Sequence, residues 1–445
     1  MAEGTFSEQL AARCSHIAPT AADVEKAQAC LFDYFACALA GNELPWSRAA
    51  VAVSRQVSGP CAIVGHEFTA SQADAAFTNA VLGHSLVRDD MHLRSVSHLG
   101  TVVIPTLLAL APDVGVSGER FLAALVAGYE AGGTIGRAVL DVEIAALHRP
   151  TGICGPVAAA AAGAMLLGFD QVRMAAAIGL AANTVAGFNE WAATGGSEMF
   201  FHVGFAARNA LLALRLVNEE PNISATAIDG PAGLFAAFDK AHVEARDAPT
   251  SHEIRSVFFK EVPACNFAQT PAQAALAITE QNGFDPDDID AAVVFVNHAA
   301  AHYPGCDAPG PFEHILQAKM SIQYNVAAAL LKGNFEEENF RPLHQEAISG
   351  LAESIELRVD PMLTAAYPRR QAARVRVALR SGRLLTQELD DVRGANTRLV
   401  QKRFAQAAEN RLGKARALEL RNCIAALPKA PNCHSLAKLC STANG

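Results

Sequence analysis

A mainly α fold, with a large all-helical domain and a smaller α+β domain, follows from three features of the sequence. Helical periodicity and small residues dominate up to about residue 250, β-rich runs are confined to one later stretch, and helical spacing returns after Gly394. These changes divide the chain into an all-helical domain of residues 1–255 with 395–445 and an α+β domain of residues 256–394. At 445 residues, about half of them hydrophobic, the chain is long enough to bury a large core in two domains.

From Ala21 to Ala40, the residues Val24, Ala27, Leu31, Tyr34, Phe35 and Leu39 share one helical face, and Thr20 stands where an N-cap belongs. Ala75 to Leu82 and Thr101 to Leu110 read as buried helices. Between Phe121 and Arg137, Ala124, Gly128, Gly132 and Gly136 recur every four residues, a strip without side chains that lets a neighbouring helix approach closely. Glu130 and Arg137 make this a soluble helix crossing rather than a membrane one. Val157 to Leu167, nearly all alanine, reads as a helix that starts at Pro156. Gly204 to Leu216 reads as another. In the second domain Ala291 to Val296, Ile355 to Val359, Val375 to Val377 and Leu384 to Leu389 read as strands, with helices from Pro271 to Glu280 and from Lys319 to Leu331. Thr397 to Leu427 is helical again and is expected to pack back on the first domain. The tail from Ser441 to Gly445 is expected to be disordered.

Net charge is −9 with acids and bases intermixed, and no basic, aromatic-interleaved stripe exists, which argues against a nucleic-acid partner. The start of the chain lacks a basic region followed by an apolar one. Pro105, Pro112, Gly163 and Gly168 interrupt the longest apolar runs, so no membrane partner and a cytoplasmic location are expected. Ten cysteines include no Cys-x-x-Cys pair and no Cys/His zinc spacing. They read as reduced, mostly buried thiols, and no metal is expected.

Four polar clusters carry the candidate chemistry. The fifteen residues from His84 to His98 hold three histidines, two arginines and two aspartates between the two buried helices, where charges need a partner or a ligand. Leu147 to Gly155 sets Arg149 and a glycine-rich turn, with Gly152 and Cys154, at the start of the alanine helix, a place for an anion. A helix cap at Thr151 is the plainer reading of the same turn. Phe188 to Trp191 and Thr194 to His202 form an aromatic and polar loop, in which His202 also reads as a structural histidine. Lys260 to Gln269, with Cys265, lies at the domain junction, where ligand pockets tend to form.

In this order and spacing the clusters resemble the MmgE/PrpD family, which includes 2-methylcitrate dehydratases, cis-aconitate decarboxylases and iminodisuccinate epimerases. The matching stretches are Leu31 to Gly41, Ala76 to His98, Val103-Ile104-Pro105, Ala127 to Glu130, Arg149 to Gly152, Lys260-x-x-Pro263-x-Cys265 and Ala318 to Ala328. The resemblance spans nearly the whole chain. It implies a helical domain built from both ends of the chain, an α+β lid, a homodimer, an active site between the domains, and neither cofactor nor metal. Family reactions abstract a proton next to a carboxylate, or remove water or carbon dioxide from a polycarboxylic acid.

Against the family pattern the chain keeps Asp89, Asp90, His98, His202, Lys260 and Tyr324. It departs at Val87 and Met91 around the acidic pair, at Arg149 in place of a histidine, at Met199 in place of a lysine and at Gln269 in place of a histidine. Arg88, His92, Arg94 and Arg149 add donors, whereas Met91, Met199, Phe200 and Trp191 make the pocket more apolar. A mono- or dicarboxylate with an apolar portion suits that balance better than 2-methylcitrate. The resemblance then casts His98 as general base or acid, Asp89 or Asp90 as its orienting partner, and Tyr324 as the group on the opposite face of the substrate. Arg149, Gly152 and Lys260 would grip carboxylate oxygens, with Arg88, His92, Met199, His202 and Gln269 around them. Three activities stay open: a decarboxylating or dehydrating lyase, an epimerase or isomerase using the same proton abstraction, and a non-catalytic acid-binding homologue.

Overall fold

The computed structural model describes residues 4–240, 251–341 and 346–442. It is mainly α. The Ala21–Ala40 helix starts at Thr20, whose side chain accepts from the Asp23 N–H while Asp23 reaches back, so both ends of a capping box are present. Thr397–Leu412 packs along it, with Phe32 and Phe404 edge to face at 5.0 Å, so sequence-distant segments share one core.

The glycine strip does what its spacing predicts. On Gly118–Val139, a Cβ at Gly128 would stand 2.7 Å from Val103, one at Gly132 2.5 Å from Leu99, and one at Gly136 2.1 Å from Ser95. Gly100–Leu110 and Pro150–Leu167 therefore lie directly against this helix.

Pro150–Leu167 begins six residues earlier than the sequence suggests, with Pro150 in its first turn and Pro156 inside it. Proline at 156 cannot donate to the carbonyl four residues back. That Gly152 carbonyl accepts from Ala186 N–H instead, at 3.2 Å, so the interior proline leaves no acceptor stranded. The longer helix changes a second expectation. Pro150–Leu167 and Glu198–Asn218 are each long and apolar enough to cross a membrane by length and composition, but 89 % of the first is buried inside the protein, as a core helix is.

The smaller domain carries a four-stranded sheet in the order Ile355–Val359, Ile289–Val296, Ala373–Leu379, Leu384–Leu389, with the first pair parallel and the others antiparallel. Gln269–Gln281 and Ile322–Lys332 pack beside it over a second apolar core. Two expected helices are broken. Ser321 ends Ile315–Met320 and caps the next helix through the Tyr324 N–H, and Gly413, at φ 82°, separates Thr397–Leu412 from Lys414–Ala426. Ser441 donates to the His66 carbonyl at 2.6 Å, so the tail is ordered at that residue. Residues 443–445 lie outside those described.

Candidate active site

The segment between the Gln72–His84 and Gly100–Leu110 helices leaves the helical core in which both pack, puts Leu86 and Val87 into the second core, and returns at Leu99. Met91–His92 pairs antiparallel with Val257–Phe258, which ties this segment to the domain junction. Val87 and Val96 have φ of 59° and 46°. A β-branched residue is rarely found there, and such strain persists only where the surroundings enforce it.

Asp89 lies between two imidazoles. Its Oδ1 is 3.0 Å from His84 Nδ1, and its Oδ2 is 2.7 Å from His98 Nδ1. Burial raises the Asp89 carboxyl, but His84 and His98 together outweigh it and hold the group well below the usual carboxylate range. Burial also pushes His98 well below its ordinary value against the pull of Asp89. The arrangement is thus an ionised carboxylate between two neutral rings. With Nδ1 turned to Asp89, the basic nitrogen of His98 is Nε2. Thr151 accepts from the His98 N–H at 3.0 Å, so this threonine holds the histidine's backbone rather than capping a helix.

Arg149 donates to His84 Nε2 at 2.9 Å and lies over the Trp191 ring at 5.6 Å. Its Nε has no partner, the residue is 5 % exposed, and it makes no ion pair among the described residues. Lys260 Nζ, fully buried, donates to the carbonyls of Val87 and Ala264 at 3.0 and 3.1 Å. Burial lowers it to about 8, with Asp89 opposing. Two buried cations therefore face a single carboxylate that is already shared by two histidines. The His84, Asp89 and His98 ligand atoms also sit close enough to grip a metal ion. Arg149 and Lys260 beside them favour an anion there instead.

His98, Arg149 and Lys260 line a chamber of about 20 Å³, room for about one water. Val87, Met91, Trp191 and Met199 form apolar wall, as the residue exchanges suggest, and the other domain contributes Cys265, Asn266 and Tyr303. Cys265 Sγ lies 3.5 Å from Cys306 Sγ. That contact, helped by Lys260 and opposed by burial, lowers the Cys265 thiol.

Other candidates lie elsewhere. The Asp90 carboxylate bonds the Tyr129 hydroxyl and the Gly100 N–H inside the helical domain, turned away from Asp89 by the bend at that residue. Only its carbonyl faces His98 Nδ1, at 3.0 Å. His92 is held between Glu253 at 2.9 Å and Ser95 at 2.7 Å. Arg88 lines a different cleft, with Arg403. A Cβ at Gly152 would stand 1.8 Å from the Ala186 carbonyl, and its N–H is spent on Arg149 O, so this glycine serves close packing and grips no anion. Gln269 bonds Val262, Ala264 and Cys265 backbone groups. Tyr324 donates to the Asn339 carbonyl at 2.7 Å amid Phe312 and Phe340, within the smaller domain's core. His202 sits behind Arg149 against Gly187, and burial lowers it to about 4, with Arg149 adding to the effect. His84 and Tyr303 are the site groups to which the sequence assigns no role, whereas Cys265 stands out there at the domain junction. His84 opens the charged block and Cys265 belongs to the junction motif, but nothing around Tyr303 marks it.

Residues 8–245 match the MmgE/PrpD N-terminal domain, and residues 262–428 match the MmgE/PrpD C-terminal domain. The chain is a member of the MmgE/PrpD family. Within it, a cis-aconitate decarboxylase-like protein of Aspergillus oryzae is 30 % identical over 253 residues, covering 54 % of this chain and 50 % of the relative. The cis-aconitate decarboxylase of Aspergillus terreus is 31 % identical over 200 residues, covering 42 % and 40 %. The match spans half or less of the length of these curated relatives. MmgE/PrpD membership and these relatives support a lyase-type family of enzymes.

Proposed function

We propose that this MmgE/PrpD protein is a cofactor-independent lyase acting on a small carboxylic acid with one or two carboxylates. The observation that carries the reading is Arg149, a buried cation with an unpartnered Nε and no carboxylate partner among the described residues, next to a neutral histidine. A buried charge without a partner is costly, and a substrate carboxylate would supply the missing one. Lys260 would hold a further oxygen.

His98 Nε2 takes the proton from the carbon beside that carboxylate, and Asp89 stabilises the imidazolium that results. The C–H electron pair becomes the new double bond as hydroxide leaves. Cys265 supplies the proton that turns it into water. In the decarboxylating variant the C–CO2 bond breaks, carbon dioxide leaves, and the electron pair left on carbon takes its proton from Cys265, whose thiolate is reprotonated from solvent. Met91, Met199 and Met320 line the chamber, and flexible thioethers can repack to admit a carboxylate that the closed volume does not. A tricarboxylate would exceed the cations available. An epimerase reading is favoured by one observation, that His98 and Cys265, one from each domain, line the same chamber and could remove and return a proton from two sides.

The test is to incubate the protein with methylsuccinate and citramalate in deuterated buffer, with cis-aconitate as the tricarboxylate expected to give neither signal, and to follow exchange and product by NMR. His98→Asn should lower either signal at least about tenfold, with Tm little changed. Exchange without product identifies the epimerase. Equal signals in variant and wild type remove His98 from the mechanism, and tight binding with neither signal marks a non-catalytic acid-binding protein.

A further inference from the structure

The chamber at His98 lies against a second, larger space. Val96, Phe267 and Tyr303 line both it and an outer cavity of about 590 Å³, a size typical of small-molecule sites. One wall of the outer cavity comes from Leu140 and the short Val142–Leu147 helix, and the other comes from the smaller domain around Ala299 and Tyr367. Its charged and imidazole residues, Arg94, Asp141, Glu143, His298 and His302, are all exposed and so form a rim. What lies below the rim is mostly aliphatic and aromatic. Val142 stands 38 % exposed at this surface, a large apolar side chain left facing open space.

The two cavities are unequal in a way that bears on the substrate. The inner one has cations and almost no volume, whereas the outer one has volume and an apolar floor. We propose that the outer cavity is the tail subsite for an aliphatic chain, and that the acid bound has its carboxylates at Arg149 and Lys260 and its chain running outward past Val96, Phe267 and Tyr303. This rests on the carboxylate reading above and names the substrate class within it, an alkyl-substituted mono- or dicarboxylic acid. Each methylene moved from water into such a floor strengthens binding about fourfold, so chain length is the natural discriminator.

Calorimetric titration of methylsuccinate, butylsuccinate and octylsuccinate tests it. Affinity should rise by at least about tenfold from methyl to butyl and continue to rise toward octyl. Ala146→Trp, which fills the cavity from the short helix, should abolish the gain while leaving methylsuccinate unaffected. Val142→Asp, at an exposed position that tolerates charge, should shrink the gain without changing the cavity's shape much. Methylsuccinate binding that depends on Arg149 but does not improve with chain length would overturn the tail subsite and leave the carboxylate reading standing. Failure of all three acids to bind would overturn both, and equal long-chain affinity in wild type and Ala146→Trp would place the chain elsewhere.

Discussion

Asp33 and Asp90 keep their carboxyl groups inside the helical domain, and their ionisation sets a pH dependence that the rest of the fold has to absorb. Burial, with the charges of Asp90 and Asp89, pushes Asp33 up to about 8, and its Oδ2 has no partner. Burial raises Asp90 to about 6 although Tyr129 opposes it. An unfolded aspartate ionises near its ordinary value, so between that value and the folded one the native state holds a proton that the unfolded chain has released. Stability contributed by these groups therefore falls as pH rises through that window, by up to about 1.4 kcal/mol per pH unit for each. Asp33→Asn should raise Tm near neutral pH and flatten its decline between about pH 5 and pH 8. A Tm profile as steep as that of the wild type, measured by calorimetry, would contradict the assignment. The sequence identified Asp89 and Asp90 as site residues but did not say which carboxylate faces the chamber. Asp89 and Asp90 are neighbours, and only the tertiary path of the segment decides that one meets His98 and the other Tyr129. Tyr324 failed as a site residue for a similar reason, since its register in the smaller domain turns it toward Phe312 and Phe340.

At the scale of elements, the Gly118–Val139 helix is the surface against which the site is built. Gly136 lets the Ser95 side chain lie where its own side chain would stand, and Ser95 in turn bonds His92. Alanine at this position improves helix propensity by about 1 kcal/mol, but its Cβ would collide with Ser95 and displace the strained turn at Val96. Overpacking of that kind typically costs about 1–3 kcal/mol. Gly136→Ala should therefore lower stability in urea titrations and depress proton exchange at the same time. Unchanged exchange would show that the segment from His92 to His98 does not depend on this contact. The strip itself was legible because a four-residue period is visible in one dimension. The start at Pro150, the break at Ser321 and the break at Gly413 were not, because each depends on where a freed carbonyl or a cap finds its partner.

Across the whole molecule, two domains with separate apolar cores meet over a small chamber, and the smaller domain reaches into the larger one through buried lysines. Lys319 Nζ donates to Leu86 O at 3.0 Å and to Pro263 O at 2.9 Å, with Glu337 at 2.8 Å, and Lys260 holds Val87 O. These bonds fix the turn that carries the site against the smaller domain. The family and the mainly α class could be read from motif order, because motifs are carried by the chain itself. The unpaired state of Arg149 could not, since it depends on which acids the fold leaves out of reach. That state is the centre of the account, and calorimetric titration of methylsuccinate into the wild type and Arg149→Met tests it most directly. Methylsuccinate should bind the wild type, and Arg149→Met should bind it at least about tenfold more weakly, the loss expected for a charge-assisted hydrogen bond, with Tm unchanged or higher because a buried cation is gone. Equal affinity for the two proteins, or a lower Tm in the variant, would contradict it.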